Sequence, residues 1–89
     1  MSSYVRRSTV ERRLHGERRL VQPLDAATPT QLAGSAPLIW VLLEHHCTAE
    51  EITQVLLDRF DSDVEAIRGG VADAISMMLR ERLIEEVTP

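Results

Sequence analysis

The side chains best suited to metal or nucleophilic chemistry fall together at His45-His46-Cys47. Imidazole nitrogens and a thiolate are good zinc ligands, and a thiol near an imidazole supplies a nucleophile and its base. The spacing argues against both uses. Consecutive helical residues point about 100° apart, so three in a row do not converge on one ion. A closed structural zinc site needs a second ligand pair, and the sequence supplies none. No Ser/His/acid or Cys/His set stands at a recognisable spacing, and no glycine-rich phosphate loop is present. A chain of 89 residues has little room to shelter a triad beside its core. These residues therefore read as polar groups at a helix end, in a protein with no catalytic site, metal or cofactor of its own.

Charge is the second source of chemistry, and it is divided unevenly. Residues 1–40 carry six arginines (Arg6, Arg7, Arg12, Arg13, Arg18, Arg19) against three acids, and residues 41–89 carry four against eleven. The net charge of −4 thus hides a basic first half and an acidic second half. A basic half steers acidic partners toward itself, or it is a solvated surface. The single cysteine, Cys47, forms no internal disulfide, which fits a reducing cytosol. No stretch has the length and apolarity of a membrane span or a signal core. The expectation is a cytoplasmic protein and one domain over residues 1–89, without a membrane role.

The elements that hold these groups read as strands first and helices second. Residues 5–14 and 17–24 are partly alternating and rich in β-branched residues, with His15-Gly16 between them, which predicts a β-hairpin. Pro23 belongs at a strand end or edge. After a turn at 25–29, Thr30-Gln31-Leu32 forms a short third strand. From Gly34 the period changes. Ser35 and Pro37 open a helix that is apolar nearly all round through Leu38, Ile39, Trp40, Leu42 and Leu43, and ends near His45-His46. Thr48-Ala-Glu-Glu51 is a capping box for a second helix with Ile52, Val55, Leu56 and Phe60 on one face. Ser62-Asp-Val-Glu65 reads as another, opening a helix over about 63–82 with Val64, Ile67, Val71, Ala74, Ile75, Met78 and Leu79 on one face. Leu83-Ile84 then closes the core. The fold class is α+β: a small antiparallel three-stranded sheet followed by three helices, the outline of a winged helix-turn-helix.

Such an arrangement has an open sheet edge, and an open edge accepts a further strand. Pro29, Thr30, Gln31, Leu32 and Ala33 are the candidate edge. Ile67, Gly70, Ala74, Met77 and Met78 lie toward one flank of the third helix and are candidates for an apolar slot beside it. Gly70 and Ala74 permit close approach, and the two methionines adapt to an anchor. The same methionines also suit a core, and Gly69-Gly70 also suits a helix break. Of each arginine pair in the hairpin, strand alternation puts one on each face. Those facing the groove would favour an acidic peptide.

The sequence also resembles the PqqD-like family, the RiPP recognition elements, over about residues 8–86. Three stretches carry the resemblance. Pro29-Thr-Gln-Leu-Ala33 leads into Gly34-Ser-Ala-Pro-Leu-Ile-Trp40, like the family's junction between third strand and first helix. Thr48-Ala-Glu-Glu-Ile-Thr-Gln-Val-Leu-Leu-Asp-Arg-Phe60 is similar to its second helix. Val64-Glu65 through Val71, Ile75 and Leu79 to Arg82-Leu83-Ile84 is similar to its third helix and closing turn. Ala33 stands where the family often has Asn, and Arg82 where it often has Gly. The resemblance implies a protein that binds the leader segment of a ribosomally made precursor peptide. It would then present that leader to a modifying enzyme (a peptidase, cyclase or radical enzyme) and do no chemistry itself. The rival readings are a winged-helix DNA-binding protein and a dimerisation module. The predicted third helix carries Asp63, Glu65, Asp73 and Glu81 against Arg68, Arg80 and Arg82, which is poor for phosphate, so no nucleic-acid partner is expected. Dimerisation would use the same edge and groove as peptide capture.

Overall fold

A computed structural model describes residues 2–14, 16 and 18–87. It is α+β, with three helices and two small antiparallel sheets where the sequence predicts one. The first sheet has the order β5-β1-β6, formed by Ser3–Arg6 (β1), Cys47–Thr48 (β5) and Ile84–Val87 (β6). The second has the order β2-β3-β4, formed by Thr9–Arg13 (β2), Arg19–Pro23 (β3) and Thr30–Leu32 (β4). The predicted strand over 5–14 is thus two strands in two sheets, broken at Arg7 and Ser8. The break has a partner on each side. The Arg6 amide donates to the Leu43 carbonyl at 3.0 Å, and the Arg7 amide to the Leu83 carbonyl at 2.9 Å. Long-range backbone bonds therefore turn the chain where its local pattern would carry on.

The hairpin forms as expected, with Thr9 opposite Pro23 and Arg13 opposite Arg19. Gly16, at φ 76°, lies in the connecting turn; His15 falls outside the described residues. Pro23 ends the central strand β3, where its missing donor interrupts no ladder. A turn follows, with the Ala26 amide donating to the Pro23 carbonyl at 3.1 Å. Strand β4 pairs along β3 with Arg19 opposite Leu32 and Val21 opposite Thr30.

Gly34 links β4 to the first helix at φ 65°, a conformation that other residues rarely adopt. Helix α1 (Ala36–Leu42) has Ser35 as its first flanking residue, but the Ser35 hydroxyl makes no capping bond. Its φ/ψ of −83°/−10° is helical, so the side chain is not aimed at the amides as an extended cap residue would be. The helix also stops short of His45-His46, at Leu42. Helix α2 (Ala49–Arg59) carries the expected capping box: the Thr48 hydroxyl accepts from the Glu51 amide at 3.1 Å, and the Thr48 amide donates to the Glu51 carboxylate at 2.8 Å. Helix α3 (Val64–Arg80) is capped one residue later than the sequence suggests, by Asp63, whose carboxylate accepts from the Ala66 amide at 3.3 Å. It runs unbroken through Gly69 and Gly70.

The core lies between the sheets and the helices. Trp40, Ile39 and Leu43 of the first helical region, Ile52 and Leu56 of α2, and Val71, Ile75 and Met78 of α3 meet Val21 and Leu32 of the second sheet. Leu83 and Ile84 close it from the end of α3, as their place in the sequence suggests. Each such side chain, fully buried, contributes roughly 1.5–3 kcal/mol of transfer free energy. Trp40 is the largest of them. Its ring lies 4.5 Å from the Arg6 guanidinium carbon, and Arg6 Nε donates to the Trp40 carbonyl at 2.7 Å. A cation over the indole face is favourable, so β1 is fastened to α1 through a side chain as well as its backbone. Trp40 Nε1 is buried with no hydrogen-bond partner among the described residues.

Candidate functional site, an open strand edge beside an apolar recess

Among the described residues β4 pairs only with β3, so its other edge is open. Strand pairing uses alternate backbone groups on each side, and the groups of Thr30–Leu32 that face away from β3 remain available for another strand. The side chains of this edge have distinct surroundings. Leu32 is fully buried and anchors the strand, Thr30 is half-buried, and Gln31, Ala33 and Pro29 are exposed. Pro29 lies on the outer face, in a shallow depression with Val10 and Leu20.

Immediately beyond the edge strand, an open recess of about 390 Å³ separates Gly34 and Ser35 from the first half of α3. Ala66, Ile67 and Gly70 of α3 form one wall; Leu56 and Phe60, from the end of α2, form another. Ile67 and Gly70 are thus brought together as the helical spacing suggests. A Cβ added at Gly70 would meet nothing within 4 Å, so the glycine leaves space open and is not demanded by packing within the chain. Ala74 and Met77 lie further along α3, half-buried against the core, and do not line this recess. Met78 is fully buried and presents no surface to a ligand. The apolar stripe of α3 turns too far inward at 78 for that side chain to serve as slot lining.

Periodicity misassigns Phe60. It falls on the apolar face of α2 in sequence, yet it is the residue that ends the helix, with φ/ψ of −120°/134°, and it is 48% exposed. Leaving the helical path swings its ring out of the core and over the recess. The signal available in the sequence was the following Asp61-Ser62-Asp63, which terminates the helix.

A second recess, of about 470 Å³, continues from the first through Gly34, Ser35 and Phe60, which line both. Its far wall is basic. Arg13 and Arg19 reach it from the end of the hairpin and Arg59 from the last turn of α2, with Leu38 and Val41 of α1 beneath. The register places Arg13 opposite Arg19 and Arg19 opposite Leu32, so this basic end adjoins the Leu32 end of the open edge.

The His45-His46-Cys47 run does not form a cluster. His45 and His46 are exposed, whereas Cys47 is half-buried on β5 and its thiol donates to the Leu42 carbonyl at 3.2 Å. Burial, and secondarily the charge of Glu51, push the Cys47 thiol above its usual pKa, which opposes thiolate chemistry. Among the described residues no group of three or more His, Cys, Asp or Glu side chains is placed to hold a metal ion. Among the same residues no helix is long and apolar enough to cross a membrane.

An open strand edge beside an apolar recess is a geometry suited to strand addition. The family described as Coenzyme PQQ synthesis protein D (PqqD) matches residues 23–84, from the end of β3 through the start of β6. The chain belongs to this PqqD family, whose members are accessory proteins of PQQ and RiPP biosynthesis that bind and do not catalyse. No curated protein and no solved structure matches the chain.

Proposed function

We propose that this protein binds the leader segment of a ribosomally synthesised precursor peptide as an added strand along Pro29–Ala33 and presents it to a modifying enzyme. The observation that carries the reading is the coincidence of the open β4 edge with the recess between Gly34, Phe60, Ile67 and Gly70. Thr30, Gln31 and Leu32 supply the strand, whose outward-facing backbone groups give affinity without demanding a sequence, and the recess takes one apolar anchor of the peptide. Ala74 and Met77 extend the same flank for a longer ligand. The platform is winged-helix-like, with the hairpin β2–β3 as the wing and α3 as the ligand-facing helix. The protein works in the cytoplasm and does no chemistry on the peptide, and the partner enzyme is a peptidase, cyclase or radical enzyme.

Charge supports a peptide over DNA. Arg68, on the exposed side of α3, is engaged by Glu65 at 3.1 Å and Glu50 at 3.3 Å, which leaves that helix little free cation for phosphate. The test is fluorescence polarisation with a labelled leader segment from a small peptide gene encoded beside this one, with scrambled peptide and duplex DNA as controls. Saturable binding of the leader alone is expected. Salt-sensitive binding of DNA, with none of the leader, would return the fold to a nucleic-acid reading.

A further inference from the structure

We infer that the basic recess beside the strand edge reads acidic side chains on the amino-terminal side of the bound peptide segment. The inference rests on the strand-addition reading and adds to it a charge and a direction.

The recess is lined by Arg13, Arg19 and Arg59, and among the described residues no carboxylate lines it. In a chain of net charge −4 that is a local reversal of sign. Arg19 is held in place by Glu11 at 2.9 Å. The guanidinium groups of Arg13 and Arg59 make no hydrogen bond or ion pair among the described residues, and both side chains are exposed. Asp58 and Asp61 flank Arg59 and Phe60 in sequence, and neither lines the recess. Two guanidinium groups are therefore free to form forked bonds to incoming carboxylates. The floor is apolar, with Val41 40% and Phe60 48% exposed. Low-dielectric walls strengthen an ion pair formed above them.

Direction follows from register. Strand β4 runs from Thr30 to Leu32, and the basic recess lies past Leu32. Every strand pair among the described residues is antiparallel, and antiparallel pairing is slightly the more stable kind. A peptide added antiparallel to β4 has its amino-terminal end at Leu32. Its residues before the paired segment then pass over Gly34 and Ser35 into the arginines. At about 3.3 Å per residue, the recess is reached within a few residues of the pairing. An acid on the carboxyl-terminal side of the segment would instead lie near Thr30, away from all three arginines.

Selection from a random peptide display library, with the full chain as bait, tests this directly. The expected result is enrichment of an apolar segment preceded, within about five residues, by Asp or Glu. Arg13→Glu/Arg59→Glu, which changes only exposed side chains and whose fold is checked by circular dichroism, is expected to lose that preference and to select Lys or Arg there. Its affinity for the wild-type winner should fall about tenfold at moderate salt. Enrichment of apolar segments with no acid bias, or with acids following the segment, would overturn the inference and leave strand addition standing. No enrichment of any peptide would remove both.

Discussion

Two adjacent glycines in the middle of α3 allow stability and binding to be separated. A glycine in a helix interior costs roughly 0.8–1.0 kcal/mol relative to alanine. Substitution recovers that cost only if the new side chain fits. At both Gly69 and Gly70 an added Cβ meets nothing within 4 Å, and neither has a positive φ, so no clash or backbone strain is to be subtracted. Gly69→Ala and Gly70→Ala should therefore each stabilise the fold by close to 1 kcal/mol, a rise in Tm of roughly 4–8 °C for a domain of this size. The two positions differ in what they face: Gly70 lines the recess and Gly69 does not. Gly70→Leu keeps most of the helix gain, because leucine is nearly as good a helix former as alanine, but its side chain occupies the recess. Leader binding should weaken at least about tenfold, or 1.4 kcal/mol, while Gly69→Ala binds as the wild type does. Thermal unfolding followed by far-ultraviolet circular dichroism reads the first effect, and fluorescence polarisation reads the second. A fall in Tm for either alanine variant would refute the claim that the glycines stand in open space. Wild-type affinity in a folded Gly70→Leu protein would refute the recess as the binding site.

Other consequences concern the ends of the helices and the thiol. Arg82 follows α3 at φ 63°, and the amides of Arg82 and Leu83 donate to the Leu79 and Met78 carbonyls at 3.1 and 2.8 Å, the geometry of a glycine-type helix stop. Arg82→Gly should raise stability by up to about 1 kcal/mol in urea unfolding, and a loss would mean that its ion pair with Asp25 outweighs the backbone relief. Thr48→Ala removes the hydroxyl half of the α2 capping box and should lower stability by about 1 kcal/mol, whereas no change would show the box to be idle. Cys47 should react with iodoacetamide more slowly in the native protein than in urea at mildly alkaline pH, because burial and Glu51 disfavour its thiolate. Folding thus favours the neutral thiol, so this contribution to stability is in place at neutral pH. It is lost as pH rises through the raised range of the folded thiol. Equal native and unfolded rates would contradict it.

The features readable in the sequence are those whose cause is local. The α2 capping box needs only Thr48 and Glu51 three residues apart, and it forms as read. The hairpin follows from two β-rich runs around a glycine, and the open third strand from a tripeptide between turns. The cap of α3 falls one residue past the start of the predicted box because Ser62 and Asp63 are both competent caps, and only the backbone path decides which amide is within reach. Met78 could not be told from Met77 as slot or core, since a difference of one residue, about 100° around the helix, separates a half-buried side chain from a fully buried one.

What the sequence determined by itself is the hairpin, the short strand after it, the three helices and the family resemblance, because capping, turn chemistry and hydrophobic period act over a few residues. The tertiary structure alone decided the sheet of β5, β1 and β6, where Ser3 pairs with Val87 and Tyr4 with both Glu86 and Cys47. No local pattern encodes a partner some eighty residues away; that choice is made when burial of Trp40, Leu83 and Ile84 brings the two ends of the chain together. It also decided which arginines matter. Alternation says that one of each pair faces inward, but only the pairing of β2, β3 and β4 places Arg13 and Arg19 on the face of Leu32, at the mouth of the recess that Phe60 leaves open.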